Sequence, residues 1–93
     1  MRVINQTGQF KRDLKREAKD MHRAILAKEF THIVKSLALD ELLPEKYRDH
    51  ALSGDWKDHR DCHIKPDLVL IYSKQDAEQL SLVRLGSHSE LGI

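Results

Sequence analysis

Ninety-three residues, a third of them charged and two-fifths hydrophobic, make one domain over residues 1–93 with a single modest core, and exclude both a disordered chain and a two-domain protein. The net charge of +1 hides an asymmetry: residues 1–30 carry eight Lys/Arg against four Asp/Glu, and residues 31–93 carry eight against eleven. A general nucleic-acid binder is usually more basic than this, so an RNA partner would have to be met by a local patch.

Val3 and Ile4 open the chain as a short strand, and Gln6-Thr7-Gly8 ends it, with Thr7 placed to cap a helix. Phe10, Leu14, Ala18, Met21 and Ile25 then recur in steps of four, four, three and four, which is one helical stripe. Around it Lys11, Arg12, Lys15, Arg16, Lys19 and Arg23 take one side and the back, and Asp13, Glu17 and Asp20 the opposite flank. Such a split is either an RNA-facing surface or a solvated face with incidental charge order. A second stripe runs through Leu26, Phe30, Ile33, Val34 and Leu37. Because residues 10–38 exceed a typical globular helix, a helical hairpin broken near Asp20-Met21-His22-Arg23 is expected. His22 and His32 fall in these helices as surface or boundary residues.

After Pro44 a polar loop, Pro44 to His50, leads into the strands. Trp56 to Ile64 alternates loosely, Lys65-Pro66-Asp67 turns, and Leu68 to Tyr72 is the unbroken apolar run of a buried central strand. Gln79 to Leu85 follows, and Gly86 breaks it. The order β-α-α-β-β-β, with two helices on one face of a mainly antiparallel sheet, is an α+β domain. No apolar run approaches the roughly 18 residues of a membrane span. MRVINQTGQFKRDLKR has no apolar secretory segment, and the lone cysteine, Cys62, has no partner within the chain. A cytoplasmic location without membrane association is expected.

Residues 50–72 hold three histidines, four aspartates and the only tryptophan. The Ile64-Lys65-Pro66 turn would bring His63 near Asp67, His88 follows the last strand just past Gly86, and His50 lies before the first C-terminal strand. Imidazoles and a carboxylate along one sheet rim suit proton transfer near neutrality. Arg84, at strand parity with Leu80 and Leu82, is the kind of residue that grips a phosphate in two places. A zinc reading would draw on His50, His59, Cys62 and His63. Their spacing matches no common structural zinc pattern, and Cys62 points away from a face shared by His59 and His63. No GxGxxG, P-loop, HExxH or nucleophile elbow is present, and Cys62 reads as a small buried residue.

The run Asp49-His50-Ala51-Leu52, Gly54, Trp56-Lys57, Arg60-Asp61-Cys62-His63, Pro66-Asp67, Ile71-Tyr72 and Arg84-Leu85-Gly86-Ser87-His88 resembles the YafQ branch of the RelE-type bacterial toxins. That resemblance implies a ribosome-dependent mRNA endoribonuclease, the toxin of a type II toxin–antitoxin pair, with a RelE-like fold in the broad architecture of microbial ribonucleases. It implies chemistry without a metal or other cofactor, in which the ribose 2′-hydroxyl attacks the adjacent phosphate and leaves a cyclic phosphate. The family's catalytic positions fall on His50, His63, Asp67 and His88, with Asp61 also implicated and Arg84 holding phosphate. The implied partners are mRNA, the ribosome and an antitoxin of ribbon-helix-helix type. Lys11, Arg12, Lys15, Arg16 and Lys19 are expected to meet ribosomal RNA. One departure stands out: the family pattern has a phenylalanine four residues after the last histidine, where this chain has Gly92. Base stacking on an aromatic contributes on the order of 1–3 kcal/mol, so codon preference rather than cleavage is what this departure touches.

Overall fold

The computed structural model describes residues 1–19, 24 and 26–93. Asp20, Met21, His22, Arg23 and Ile25, and with them the expected break between the two helices, lie outside the described residues, as does the side chain of Leu26. The architecture is mixed α+β. A five-stranded sheet runs in the order β1-β5-β4-β3-β2, where β1 is Val3–Gln6, β2 His50–Ala51, β3 Arg60–Lys65, β4 Leu68–Ser73 and β5 Gln79–Gly86. Only the β1–β5 pair is parallel; the other three are antiparallel.

Thr7 caps α1 (Gly8–Ala18) as its position predicts, accepting a hydrogen bond from the Phe10 amide at 3.0 Å. Its hydroxyl also donates to the Val83 carbonyl at 2.9 Å, which pins the start of the helix to β5. A π-helical turn, Leu26–Phe30, runs directly into α2 (Thr31–Ala38). Phe10 of α1, stacked with Phe30, together with Leu14 and with Ile33, Val34, Leu37 and Ala38 of α2, packs on one sheet face. They meet Cys62, Ile64, Leu68, Leu70, Tyr72, Leu80, Leu82 and Leu85 there.

The opposite face carries a smaller cluster of Val69, Ile71 and Leu91, flanked by Leu52, Trp56 and Val83. All six residues of β4 are buried, with Leu68, Leu70 and Tyr72 in one cluster and Val69 and Ile71 in the other, and this is why its sequence shows no alternation. Leu91 comes from α3 (His88–Leu91), a short helix that the strand-and-break reading of the C-terminus does not anticipate. It is closed by a reciprocal cap between Ser87 and Glu90, and ends at Gly92 with φ 70°.

The order β-α-α-β-β-β is thus corrected by one strand and one helix among the described residues. His50–Ala51 is a two-residue strand on the far side of β3, where the sequence reads as loop. The strand expected from Trp56 begins only at Arg60. Residues Gly54–Trp56 form a 3-10 turn, and Gly54 (φ 64°) and Asp58 (φ 68°) take left-handed backbone that no strand accommodates.

Candidate active site

Residues paired across a ladder share a sheet face. His50 pairs with Asp61, Asp61 with Ile71, and His63 with Val69, so all three polar residues stand on the face away from α1 and α2. Arg84 reaches the same face by an irregularity. Leu82 pairs with Tyr72 and Arg84 with Ile71, so two residues of β5 advance for one of β4. The expected parity of Arg84 with Leu80 and Leu82 is corrected by this bulge, which turns it to the opposite side.

Asp61 lies between two imidazoles. Its Oδ1 is 3.0 Å from His50 Nδ1 and its Oδ2 is 4.0 Å from His63 Nε2. His50 Nδ1 is nearer still to the Arg48 carbonyl, at 2.8 Å, and Asp61 Oδ1 has no hydrogen-bond partner although the side chain is 2% exposed. Burial pushes the Asp61 carboxyl above the usual carboxylate range, against the opposing pull of His50, His63 and His88. Burial likewise holds His63 below the ordinary imidazole value, with Asp61 working in the other direction. The His63 ring centroid is 6.0 Å from that of His50 and 4.9 Å from that of His88, which places His63 between the other two.

Asp67 Oδ1 accepts from the His88 amide at 3.1 Å and lies 2.9 Å from His88 Nδ1. His88 is the first residue of α3, so the Ser87–Glu90 cap and Asp67 together fix where its ring sits. Beside His63 and His88 opens a cleft of about 420 Å³, whose walls include Lys46, Arg48 and Lys65. The sequence reading does not reach these cations. Lys46 and Arg48 stand in the polar loop just before His50, where irregularity masks a basic wall. Lys65 is paired with Glu29 at 3.0 Å.

The zinc ligand set considered from the sequence is not brought together. Cys62 is buried on the helix side, where burial pushes its thiol far up. His59 precedes β3 instead of sharing a strand face with His63, packs edge-on against Trp56 and places Nδ1 3.0 Å from the Lys57 carbonyl. A different trio does converge: one ligand atom each from His50, Asp61 and His63 lie within 4.8 Å of one another. Tyr72 is core, with its hydroxyl donating to Asp49, and Trp56 is half-buried over the second cluster.

The charge split of α1 is vertical as well as lateral. Asp13 and Glu17 are buried under the helix, whereas Lys11, Arg12, Lys15, Arg16 and Lys19 are on its outside. Arg84 Nε donates to Asp13 Oδ2 at 2.7 Å, and this bond together with other donors holds the Asp13 carboxyl low despite burial. Arg84 is therefore engaged by a carboxylate from α1, and Arg12, Lys15, Arg16 and Lys19 enclose a shallow basic surface.

A sequence profile described as "Bacterial toxin of type II toxin-antitoxin system, YafQ" matches residues 2–92. The chain belongs to the YafQ toxin family. The mRNA interferase toxin YafQ of Escherichia coli K12 is 36% identical over 94 residues, covering 97% of this chain and 95% of the relative. YafQ in the E. coli DinJ–YafQ complex superposes with a TM-score of 0.83 at 35% identity, covering 98% of each chain. A metal-bound toxin from Helicobacter pylori matches with a TM-score of 0.84 at 44% identity, covering 98% of this chain and 99% of the other. Among YafQ toxins, then, this chain carries the fold across its described residues, with His50 and His63 on the sheet face away from α1 and α2. No helix among the described residues is long and apolar enough to cross a membrane.

Proposed function

We propose that this YafQ-family toxin is a ribosome-dependent mRNA endoribonuclease of RelE-like, microbial-ribonuclease-like architecture. It cuts by attack of the ribose 2′-hydroxyl on the adjacent phosphate, without a resident metal. The observation that carries the reading is the row His50–His63–His88, with Asp61 set between His50 and His63 and Asp67 on His88. A transphosphorylation needs a proton acceptor at the 2′-hydroxyl and a proton donor at the 5′-oxygen, on opposite sides of one phosphate.

His50 is assigned the base. With its Nδ1 proton directed to the Arg48 carbonyl, its Nε2 lone pair is left to take the 2′-hydroxyl proton. His88 is assigned the acid: its Nδ1 proton is held by Asp67, so Nε2 carries the proton that goes to the leaving 5′-oxygen. His63, between them and with its pKa lowered by burial, donates a hydrogen bond to a nonbridging oxygen, where charge accumulates. Asp61 keeps both neighbouring imidazoles in a negative field. Arg84 stands at the rim on the same face, its Nε and Nη2 both committed to Asp13, which leaves Nη1 for phosphate. The exposed face of α1 meets ribosomal RNA, and the name DinJ–YafQ for a relative's complex supports a cognate antitoxin, of ribbon-helix-helix type, as the resting partner in the cytoplasm.

Expression of the chain alone should arrest growth and generate new mRNA 5′ ends, and His88→Ala should abolish both. Wild-type protein that cuts no message in the presence of cognate ribosomes would replace the enzyme with a noncatalytic RNA- or protein-binding module of this fold.

One observation favours a second state of the same site. The His50–Asp61–His63 donor set is one that zinc or copper accepts, and a relative is metal-bound. A separation of up to 4.8 Å is wider than two bonds of roughly 2.1 Å can span, so the trio must tighten around an ion. An ion there would occupy the lone pairs that proton transfer needs. Added zinc should therefore slow cleavage and a chelator should restore it; stimulation by zinc would overturn the metal-free assignment.

A further inference from the structure

The outer helix and the turn that carries His88 are joined by a chain of polar contacts that the core does not require. Asp13, fully buried, accepts from Arg84 Nε at 2.7 Å, from the Leu85 amide at 3.1 Å and from Arg16 Nη1 at 3.2 Å. Arg16 in turn donates through Nη2 to the Leu85 carbonyl at 2.9 Å, and its Nε lies 3.3 Å from Glu90 Oε2. Glu90 uses its other oxygen to accept from the Ser87 amide at 3.0 Å, closing the cap of α3. Both sides of Leu85, its amide and its carbonyl, are thus held from α1, and the cap that fixes His88 is held from the same guanidinium.

Gly86 shows that the approach is built into the strand. A Cβ at this position would stand 2.9 Å from Arg16 Nη2 and 3.2 Å from Glu90 Oε1. The absence of a side chain lets the guanidinium lie against the strand end. Arg16 and Glu90 side chains are 44% and 40% exposed, and an exposed pair of this kind contributes only about 0–1 kcal/mol to stability. Its effect is geometric. Two weak interactions anchored on one buried carboxylate and one backbone carbonyl restrict where the Ser87–Glu90 turn can sit.

We infer that Asp13 and Arg16 are positioning residues that act through Leu85 and Glu90 to aim His88 at the leaving group. This rests on the ribonuclease reading above, and it takes Arg16 out of the set of residues whose first role is to grip RNA. It also links the face that docks on the ribosome to the proton donor, because Arg16 belongs to both.

Arg16→Gln tests it on cognate ribosomes programmed with a message cut at the position mapped for the wild type. Two versions of that message are compared in single-turnover cleavage, one with the natural 5′-oxygen and one with a 5′-sulfur leaving group that needs little protonation. The oxygen substrate should be cut on the order of 10-fold more slowly, the cost of a misplaced catalytic group. The sulfur substrate should lose less than about twofold, since it does not depend on the acid. Gly86→Ala, which displaces the guanidinium without removing charge, should give the same pattern. Equal losses on both substrates together with weaker ribosome binding would make Arg16 an RNA contact and overturn the inference. Amide hydrogen exchange supplies a readout independent of activity. The Ser87 and His88 amides should exchange several-fold faster in Arg16→Gln while those of β4 stay protected, and unchanged exchange at Ser87 and His88 overturns the inference even if the wild type cuts neither message. In that case the absent cleavage refutes the ribonuclease reading separately.

Discussion

Replacing Asp61 by asparagine should separate stability from function. The carboxylate is buried, its Oδ1 has no hydrogen-bond partner, and its pKa is raised by that burial. A carboxyl whose pKa is higher in the folded than in the unfolded state stabilises the fold when protonated. That contribution is complete below the unfolded value and is lost as pH rises through the folded one. At pH 8 the wild type therefore bears the cost of a buried charge. An unsatisfied buried acceptor costs about 1–3 kcal/mol. For a domain of this length 1 kcal/mol moves Tm by about 4–8 °C, so Asp61→Asn should raise Tm at pH 8 by at least about 4 °C. At pH 5 the gain should shrink, because the wild-type carboxylate is then closer to protonation and any imidazolium attracts what remains of its charge. Cleavage should move the other way. The His50–Asp61 separation of 3.0 Å corresponds to about 1.4 kcal/mol in water and about 5.5 kcal/mol at an effective dielectric of 20. Losing that attraction for the imidazolium that develops on His50 costs between roughly tenfold and ten-thousandfold in rate, and the exposure of His50 favours the lower half. Thermal melts at the two pH values and single-turnover cleavage check both halves. A lower Tm at pH 8, or unaltered cleavage, would refute the argument that Asp61 is kept charged for function at the expense of stability.

Reversing Lys11, Lys15 and Lys19 to glutamate should weaken ribosome binding and flatten its dependence on salt, by about one unit of the log–log slope for each phosphate no longer neutralised. Binding isotherms at several salt concentrations decide this, and an unchanged slope with an intact fold would send these lysines back to a solvated face. Tyr72→Phe should destabilise the protein by about 1.5–3 kcal/mol in urea, because the buried hydroxyl donates to the Asp49 carboxylate that also receives Arg60 Nε at 3.2 Å. A change under about 0.5 kcal/mol would mean that Arg60 alone satisfies Asp49.

The elements legible in the sequence are those whose pattern has one cause. Phe10 and Leu14 follow from burial on one side of α1, although Ala18 of the same stripe is exposed, and Leu68 to Tyr72 reads as a central strand because both of its faces are covered. What escapes has competing causes. His50–Ala51 is too short to show any period, and it exists because β3 offers a free edge. The Trp56–His59 segment alternates by chance, while Gly54 and Asp58 impose left-handed backbone that only a turn can use. The helix after Gly86 is available in principle: Ser87 followed three residues later by Glu90 is a capping box. The strand break at Gly86, directly before it, masks so short a helix.

The site residues are legible as chemistry but not as partnerships. Sequence proximity places Asp67 near His63, and the fold adds His88, whose amide and Nδ1 meet the Asp67 carboxylate. Parity assigns Arg84 to the helix face, and a single extra residue in β5 reverses it. The deeper limit concerns the acidic flank of α1. On a wheel, Asp13 is the neighbour of apolar positions and could turn either to water or to the sheet. A buried carboxylate is tolerated only if cations and amides meet it, and those come from Arg84 and Leu85, more than seventy residues away in the chain. Once Asp13 is drawn inside, it still meets Arg16 at 3.2 Å, while Lys11, Arg12, Lys15 and Lys19 stay on the outside. The basic patch on α1 is thus a consequence of the same contact that holds Arg84 at the site, and a change that frees Asp13 should disturb both together.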